Sequence, residues 1–461
     1  MLKRTIEQEL LSWKSEKNHK ALLITGARQI GKTYIIRQFA RENYETFIEL
    51  NFIVNESAKM IFENVADVDM IITNLTAFAG KKLVPGKTLI FLDEIQECPE
   101  ARTAIKFLVD DGRYDYIESG SLLGVRYKEV KSYPVGYETI LQMYPLSFKE
   151  FILANGVDDE VIRYLQKSYE NRTPVSTSIH QTMIQLFRYY MIVGGMPDVV
   201  QRFVDTHDIG QVVEIQKNIL ELYRQDISKY ALNDKVKIKE IYDSIPEELN
   251  DKNKRFVLSK ISRSARMERY ENSFLWLRDA GVALPCYNVS EPVVPLKINE
   301  KHNLFKLFMA DTGLLCVASL ENVQFEILKG NLDVNMGSIM ESIMENVFAQ
   351  ILTANGFQLR YFDKKGRCEL DFVIQKGNEI CPLEIKSGNS YKSHAALTYA
   401  LKKENWNITK GYVFCNGNIE ETQEVLYLPW YMSMFFVQDK IEKGYIVDVD
   451  LSGLQVPGNK E

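Results

Sequence analysis

No run of this chain is long and apolar enough to cross a bilayer as a helix. The longest, such as Thr88-Leu89-Ile90-Phe91-Leu92, stop at strand length, so a helical membrane protein is excluded. The segment from Met1 to Leu10 carries charges where a secretory signal needs an apolar stretch, and no export is expected. Cysteine is sparse and scattered. Cys98, Cys286, Cys316, Cys368, Cys381 and Cys415 include no CxxC pair, which argues against a disulfide framework and a zinc knuckle. Repeats and low-complexity segments are absent. An excess of positive charge is missing too: 56 Lys and Arg face 62 Asp and Glu, for a net charge of −6. Bulk charge therefore does not coat this protein in nucleic acid, although a local basic face stays open. The expectation is a cytoplasmic protein with no membrane partner.

What is present is ordinary globular material: 461 residues, 46% hydrophobic, 26% charged and 11% aromatic. At roughly 100–200 residues per domain, about three folding units are expected. In the first third, short apolar runs at residues 21–25, 47–52, 89–93, 114–118 and 140–144 alternate with helical patterns such as 33–42 and 101–110. Near-continuous apolar runs suit strands buried on both faces of a parallel sheet, and the alternation predicts a doubly wound α/β domain. From residue 147 to 230 the pattern is helical, broken at Val193-Gly194-Gly195-Met196-Pro197. Helices near 237–249, 255–261 and 264–280, closed by Gly281 and followed by strand-like pieces at 282–289 and 304–310, outline a winged helix. A helix at 337–354, strands at 358–362, 369–375 and 380–386, a helix at 393–402 and a strand at 410–415 complete the chain. The tail after Leu451 reads as frayed.

Gly26-Ala27-Arg28-Gln29-Ile30-Gly31-Lys32-Thr33 fits GxxxxGK[ST], with an apolar strand before it and a helix starting at Thr33. Glycines let successive N–H groups turn inward onto phosphates at a helix N-terminus. Lys32 is placed to reach the β- and γ-phosphates of ATP and Thr33 to ligate Mg²⁺. The apolar strand ending in Asp93-Glu94 supplies the second half: Asp93 for the Mg²⁺ outer sphere, and Glu94 to orient or deprotonate the attacking water. After the strand at 114–118, Ser119 and Ser121 are both candidates to contact the γ-phosphate; a plain Gly-Ser turn is the alternative.

These motifs, together with Tyr144-Pro145-Leu146-Ser147-Phe148-Lys149-Glu150-Phe151 and Gly194-Gly195-Met196-Pro197, resemble the bacterial and archaeal AAA-like ATPases that carry a C-terminal domain of unknown function. Many members have a Gly-Arg pair before the Pro-Leu-Ser-Phe element, where this chain reads Gly136-Tyr137. An arginine finger from that position is thus in doubt, with Arg126 and Arg188 as open substitutes. Oligomeric state is open as well.

Glu369-Leu370-Asp371-Phe372 and Pro382-Leu383-Glu384-Ile385-Lys386-Ser387-Gly388 resemble the PD-(D/E)xK nuclease core, and the family resemblance implies the same. Residues two apart on a strand share a face, so Glu384 and Lys386 are expected together, with Ile385 turned to the core. A hairpin brings Asp371 beside Glu384. Two carboxylates and a carbonyl oxygen make a hard Mg²⁺ or Mn²⁺ site, with Lys386 positioning the nucleophile. Nucleases of this fold often add a glutamate from the preceding helix. Glu341 or Glu345 could serve, and Glu345 fits the family pattern better. A half-solvated strand of no catalytic use explains the same residues.

Lys254, Arg255, Lys260, Arg263, Arg266 and Arg269 cluster in the winged-helix-like stretch, as a DNA-reading helix requires, yet Glu268 and Glu271 interleave as on any solvated face. The whole reads as an AAA-like ATPase core (1–155), a helical lid (156–232), a winged-helix-like domain (233–310) and a nuclease-like α/β domain (311–461). The expected function is an Mg²⁺-dependent ATPase whose nucleotide state regulates a nuclease-like domain acting on nucleic acid. The rival is a nucleotide-dependent switch whose nuclease-like domain is inert and serves protein contacts.

Overall fold

The computed structural model describes residues 2–16, 20–120, 134–230, 234–251, 254–257, 267–319, 327–328, 337–364, 368–439 and 449. An N-terminal helix α1 (Ile6–Ser15) precedes a five-stranded sheet of β1 (Ala21–Thr25), β2 (Thr46–Asn51), β3 (Thr88–Asp93), β4 (Asp115–Gly120) and β5 (Glu138–Gln142). Their order is β2-β3-β4-β1-β5, and all four pairings are parallel. The central strands β1 and β3 are buried at every position, as their apolar runs require. The two edge strands differ: β2 alternates and β5 is largely exposed. Helices α2 (Lys32–Asn43), α3 (Val68–Ala79) and α4 (Pro99–Asp111) make the crossovers. The C-terminal ends of β1, β3 and β4 therefore lie side by side.

Helices α5 (Phe148–Ala154), α6 (Asp159–Asn171), α7 (Thr177–Val193), α8 (Pro197–Thr206) and α9 (Ile209–Tyr230) follow. Ser147 caps α5 through a capping box with Glu150. Glu150 has a second use, because Arg4 pairs with it at 3.3 Å while donating to the carbonyls of Ile30 and Tyr144 at 3.0 and 2.7 Å. A cation at the chain start thus ties the phosphate-loop segment to the Pro-Leu-Ser-Phe element.

The winged-helix expectation is only partly matched. Helices α10 (Lys235–Asn250) and α11 (Met267–Asp279) and the antiparallel hairpin β6 (Ala283–Val289) and β7 (Glu300–Met309) are there. The helix expected at 255–261 is not seen where the chain is described, since residues 254–257 are irregular. Lys260, Arg263 and Arg266 lie outside the described residues, as does the side chain of Arg269. The hairpin is not self-contained either. Strand β6 pairs in parallel with β8 (Arg360–Lys364), which pairs with β9 (Cys368–Leu370), so one sheet of order β7-β6-β8-β9 crosses the expected boundary at 310.

Beyond α12 (Thr312–Ser319) and α13 (Gly337–Ala354) lies a second five-stranded sheet, β10 (Phe372–Lys376), β11 (Glu379–Ile385), β12 (Gly411–Cys415), β14 (Val425–Pro429) and β13 (Glu420–Glu421), in that spatial order. Strands β10 and β11 form a hairpin, β11 and β12 run parallel, and α14 (Ala395–Leu401) connects them. One continuous hydrophobic core runs from Ile6 to Phe436.

The Gly194-Gly195 break is where these parts meet. A Cβ on Gly195 would stand 2.2 Å from the Leu146 carbonyl oxygen, and one on Gly194 would stand 2.2 Å from an Asp311 carboxylate oxygen. The bare backbone allows Leu146 N–H to donate to the Gly195 carbonyl and Gly195 N–H to donate to Asp311, both at 2.6 Å. Gly195→Ala is expected to lower stability by roughly 2–4 kcal/mol, because backbone rather than a flexible side chain must move. Gly80 has a positive φ of 61°, which Gly195 does not, but open space around it. Gly80→Ala should cost only about 1 kcal/mol. Chemical denaturation of both variants checks the contrast, and equal losses would mean the close approach is unimportant.

Candidate functional site

The phosphate loop joins β1 to α2 with three residues at positive φ: Gly26 at 144°, Gln29 at 62° and Gly31 at 89°. A Cβ on Gly26 would lie 2.3 Å from the Met143 carbonyl oxygen, so only glycine fits there. Lys32 is turned back onto its own loop, donating to the Gly26 and Ala27 carbonyls at 3.0 and 2.8 Å. Burial lowers its pKa to about 8, against the opposing pull of Glu94 and Asp93. An anion in the loop would offer that ammonium a better partner.

Asp93 collects donors from four directions. Thr33 Oγ1 lies 3.2 Å from one carboxylate oxygen, Asn51 Nδ2 donates at 2.9 Å, Glu94 N–H donates at 3.1 Å, and the Ser119 hydroxyl donates to it as well. Glu94 stands at the strand end with φ 54°, a left-handed conformation that costs about 1–2 kcal/mol in a non-glycine residue and clusters at functional sites. The Gln96 amide donates to its carboxylate. So Lys32, Thr33, Asp93, Glu94 and Ser119 converge, and this donor set suits a Mg²⁺-bound triphosphate. Ser121 lies outside the described residues, as does Arg126.

The loop is gripped from outside. Tyr223 on α9 donates to the Arg28 carbonyl at 3.0 Å, and Asp226 pairs with the Arg28 guanidinium at 2.8 Å. Gly281 packs so closely on Ala27 that a Cβ would lie 3.0 Å from its nitrogen. Arg28 was expected only as loop backbone, and neither Asp226 nor Arg4 carries a motif by which sequence could find it. Asn51 could have been found as the polar residue ending an alternating strand.

A second constellation lines a cavity of about 470 Å³ between α13 and the β10–β11 hairpin. Asp371, Glu384, Lys386 and Glu345 all reach it. Lys386 Nζ stands 2.9 Å from Glu384, and Asp371 accepts from the Ile385 N–H at 2.7 Å. Ile385 itself is buried. Burial, with Glu384 and Glu345 nearby, pushes Asp371 up to about 8, and burial also raises Glu384 against the pull of Lys386. Two buried like charges of this kind are what a divalent cation would relieve. The pair Asp371 and Glu384 fits such an ion in chemistry. Among the described residues, however, no group of three or more His, Cys, Asp or Glu side chains is arranged to hold a metal.

Glu345 explains why. Its two oxygens are occupied by Lys254 at 2.5 Å and Lys306 at 3.0 Å. Burial alone would raise its pKa, but the two ammonium groups override it and hold it below the usual range. Glu341 remains largely exposed, 3.6 Å from Lys254. The expectation that Lys254 and Arg255 present charge to DNA is corrected here: Lys254 points into this cavity, and Arg255 pairs with Asp363.

Residues 18–152 match the family model of an AAA domain. Residues 184–324 and 336–431 match two domains of unknown function, DUF8612 and DUF4143. No curated protein matches the chain significantly. Among solved structures, a Walker-type ATPase of Pyrococcus abyssi is similar at 13% identity, covering 69% of this chain and 96% of its own, with a TM-score of 0.42. The Thermotoga maritima RuvB Holliday junction branch migration motor is similar at 14% identity (61% and 89% covered, TM-score 0.29). The Aeropyrum pernix ORC1 protein in complex with DNA is similar at 14% identity (70% and 93%, TM-score 0.25). Superpositions this loose transfer no function. The N-terminal third is an AAA-type P-loop nucleotide-binding domain. No helix of the described residues is long and apolar enough to cross a membrane.

The raised Asp371 carboxyl has a consequence for stability. Folding raises its pKa, so its contribution is complete below the unfolded value and is lost as pH rises through about 8. In metal-free buffer Asp371 is expected to lower the melting temperature progressively between about pH 4 and about pH 8, and Asp371→Asn should flatten that part of the slope. Melting curves of both proteins across that range measure it.

Proposed function

We propose that this chain is a Mg²⁺-dependent ATPase whose nucleotide state regulates the C-terminal nuclease-like site, which acts on nucleic acid. The observation that carries the ATPase is the convergence of Lys32, Thr33, Asp93 and Glu94 beside a loop shaped for phosphates. Lys32 and the loop N–H groups of residues 26–33 would bind the phosphates, and Thr33 and Asp93 would hold Mg²⁺. Bound there, the ion would supply charge neutralisation on the transferred phosphoryl group. Glu94 takes the proton of the attacking water, and Ser119 holds Asp93 in place. In this reading residues 1–155 are the ATPase core and 156–232 the lid, while 233–310 and 311–461 together carry the nuclease-like site. There Asp371, Glu384 and Lys386 are the working residues, with Mg²⁺ or Mn²⁺ as cofactor and nucleic acid, DNA or RNA, as substrate.

The regulatory link is supported by the grip of Tyr223, Asp226 and Gly281 on the phosphate loop. A second reading, a nucleotide-dependent switch with an inert C-terminal domain, is favoured by the occupation of both Glu345 oxygens.

Lys32→Ala is expected to abolish ATP binding, whereas Glu94→Gln should retain binding and lose turnover by about 100-fold or more. Nucleotide binding and phosphate release separate the two. Labelled single- and double-stranded DNA and RNA, incubated with Mg²⁺ or Mn²⁺ with and without ATP, test the other half. Cleavage that Lys386→Ala abolishes supports the nuclease; no cleavage alongside intact ATP turnover favours the switch.

A further inference from the structure

Lys254 is an odd occupant of the nuclease-like cavity. It belongs to neither the hairpin nor the helix that supplies the carboxylates, but to the irregular stretch 254–257 after α10, and it has the left-handed φ of 46°. Its ammonium lies 2.5 Å from Glu345 and 3.6 Å from Glu341, where a hard cation shared by two carboxylates would lie. Lys306 holds the other Glu345 oxygen at 3.0 Å and Glu369 at 3.3 Å, and it is wholly buried at 0% exposure against 12% for Lys254. Of the two lysine side chains, only that of Lys254 is partly exposed and sits on an irregular segment. Lys306 is the buried counter-ion of Glu345.

We propose that Lys254 is an internal counter-cation that competes with a divalent metal for the Glu345 side of this cavity, and that α10 carries it in and out. The inference rests on reading the cavity as a metal-dependent nuclease-like site and adds how metal entry is controlled. The connections run through α10. Its C-terminal end is held on α13, where the Ser342 hydroxyl donates to the Leu249 carbonyl at 2.6 Å. Glu248 accepts from the Val257 N–H at 3.1 Å, which fixes the path of the stretch bearing Lys254. On its other side α10 is tied to α9 by the Asp243–Arg224 pair at 2.8 Å, and α9 is the helix whose Tyr223 and Asp226 hold Arg28 of the phosphate loop. A movement of the loop on nucleotide binding therefore reaches Lys254 through two helices. Withdrawing Lys254 frees one Glu345 oxygen for metal, while Lys306 still balances the buried charge.

Isothermal titration of the full chain with Mn²⁺ as the probe tests this, comparing wild type, Lys254→Met and Asp371→Asn. Lys254→Met is expected to bind Mn²⁺ about tenfold more tightly than wild type, since a like charge beside the ion is gone. Asp371→Asn should abolish binding. Circular dichroism monitors folding, and if the methionine variant does not fold, Lys254→Gln, which keeps a donor to Glu345 without the charge, takes its place with the same expectation. Mn²⁺ binding that Asp371→Asn abolishes but loss of Lys254 leaves unchanged or weakens overturns the inference and leaves the nuclease-like reading standing. Absence of Mn²⁺ binding in every protein overturns both.

Discussion

The backbone of Gly195 touches Leu146 with no room for a side chain, and the rest of the architecture is organised around that approach. Leu146 follows the last strand of the nucleotide-binding sheet, and Gly195 separates α7 from α8. The N–H of Gly195 is bound by Asp311, whose other oxygen accepts from Leu314 at 3.1 Å at the start of α12. Tyr190 closes the ring, donating to the Leu146 carbonyl at 2.7 Å and accepting from Gln350 on α13 at 3.1 Å. Hydrogen bonds between fully buried groups leave little freedom, because each unmade bond costs about 1–3 kcal/mol. Burial pushes the Asp311 carboxyl up to about 6, and the N–H groups around it pull the other way. The sheet, helices α5 to α9 and the C-terminal unit are therefore fastened at one polar knot within the apolar cluster they share.

From that knot the two sites take their positions. Parallel pairing brings the ends of β1, β3 and β4 together, so that Thr33, Asp93 and Ser119 meet although they lie far apart in the chain. An antiparallel hairpin brings Asp371 under Glu384 in the second sheet. Helices α9 and α10 run between the phosphate loop and the second cavity, joined by Arg224 and Asp243. The fold thus supplies a short physical route between a nucleotide and a group of carboxylates.

Much of this was legible in sequence where the signal is local. The Gly26–Thr33 pattern names its own chemistry, and the two-residue spacing of Glu384 and Lys386 puts both at one cavity, although β11 is buried beyond its first residue rather than half-solvated. Both strands of the middle hairpin were read within a few residues. Three things were not legible. The pairing of β6 with β8 joins segments some 70 residues apart and leaves no periodic trace. The fate of Lys254 and Arg255 was misread, because a run of basic residues looks the same whether it faces DNA or buried carboxylates. Arg4 and Asp226 act through carbonyl and guanidinium partners that only the folded chain brings near.

Nucleotide bound at Lys32 should be felt at the second cavity. Hydrogen exchange of the Glu94→Gln chain, with and without Mg·ATP, measures it most directly. ATP is expected to change exchange both in the phosphate loop and at residues 254–257, with the Gly195 amide staying protected throughout. Changes confined to the loop and α2, with residues 254–257 unaltered, would contradict it.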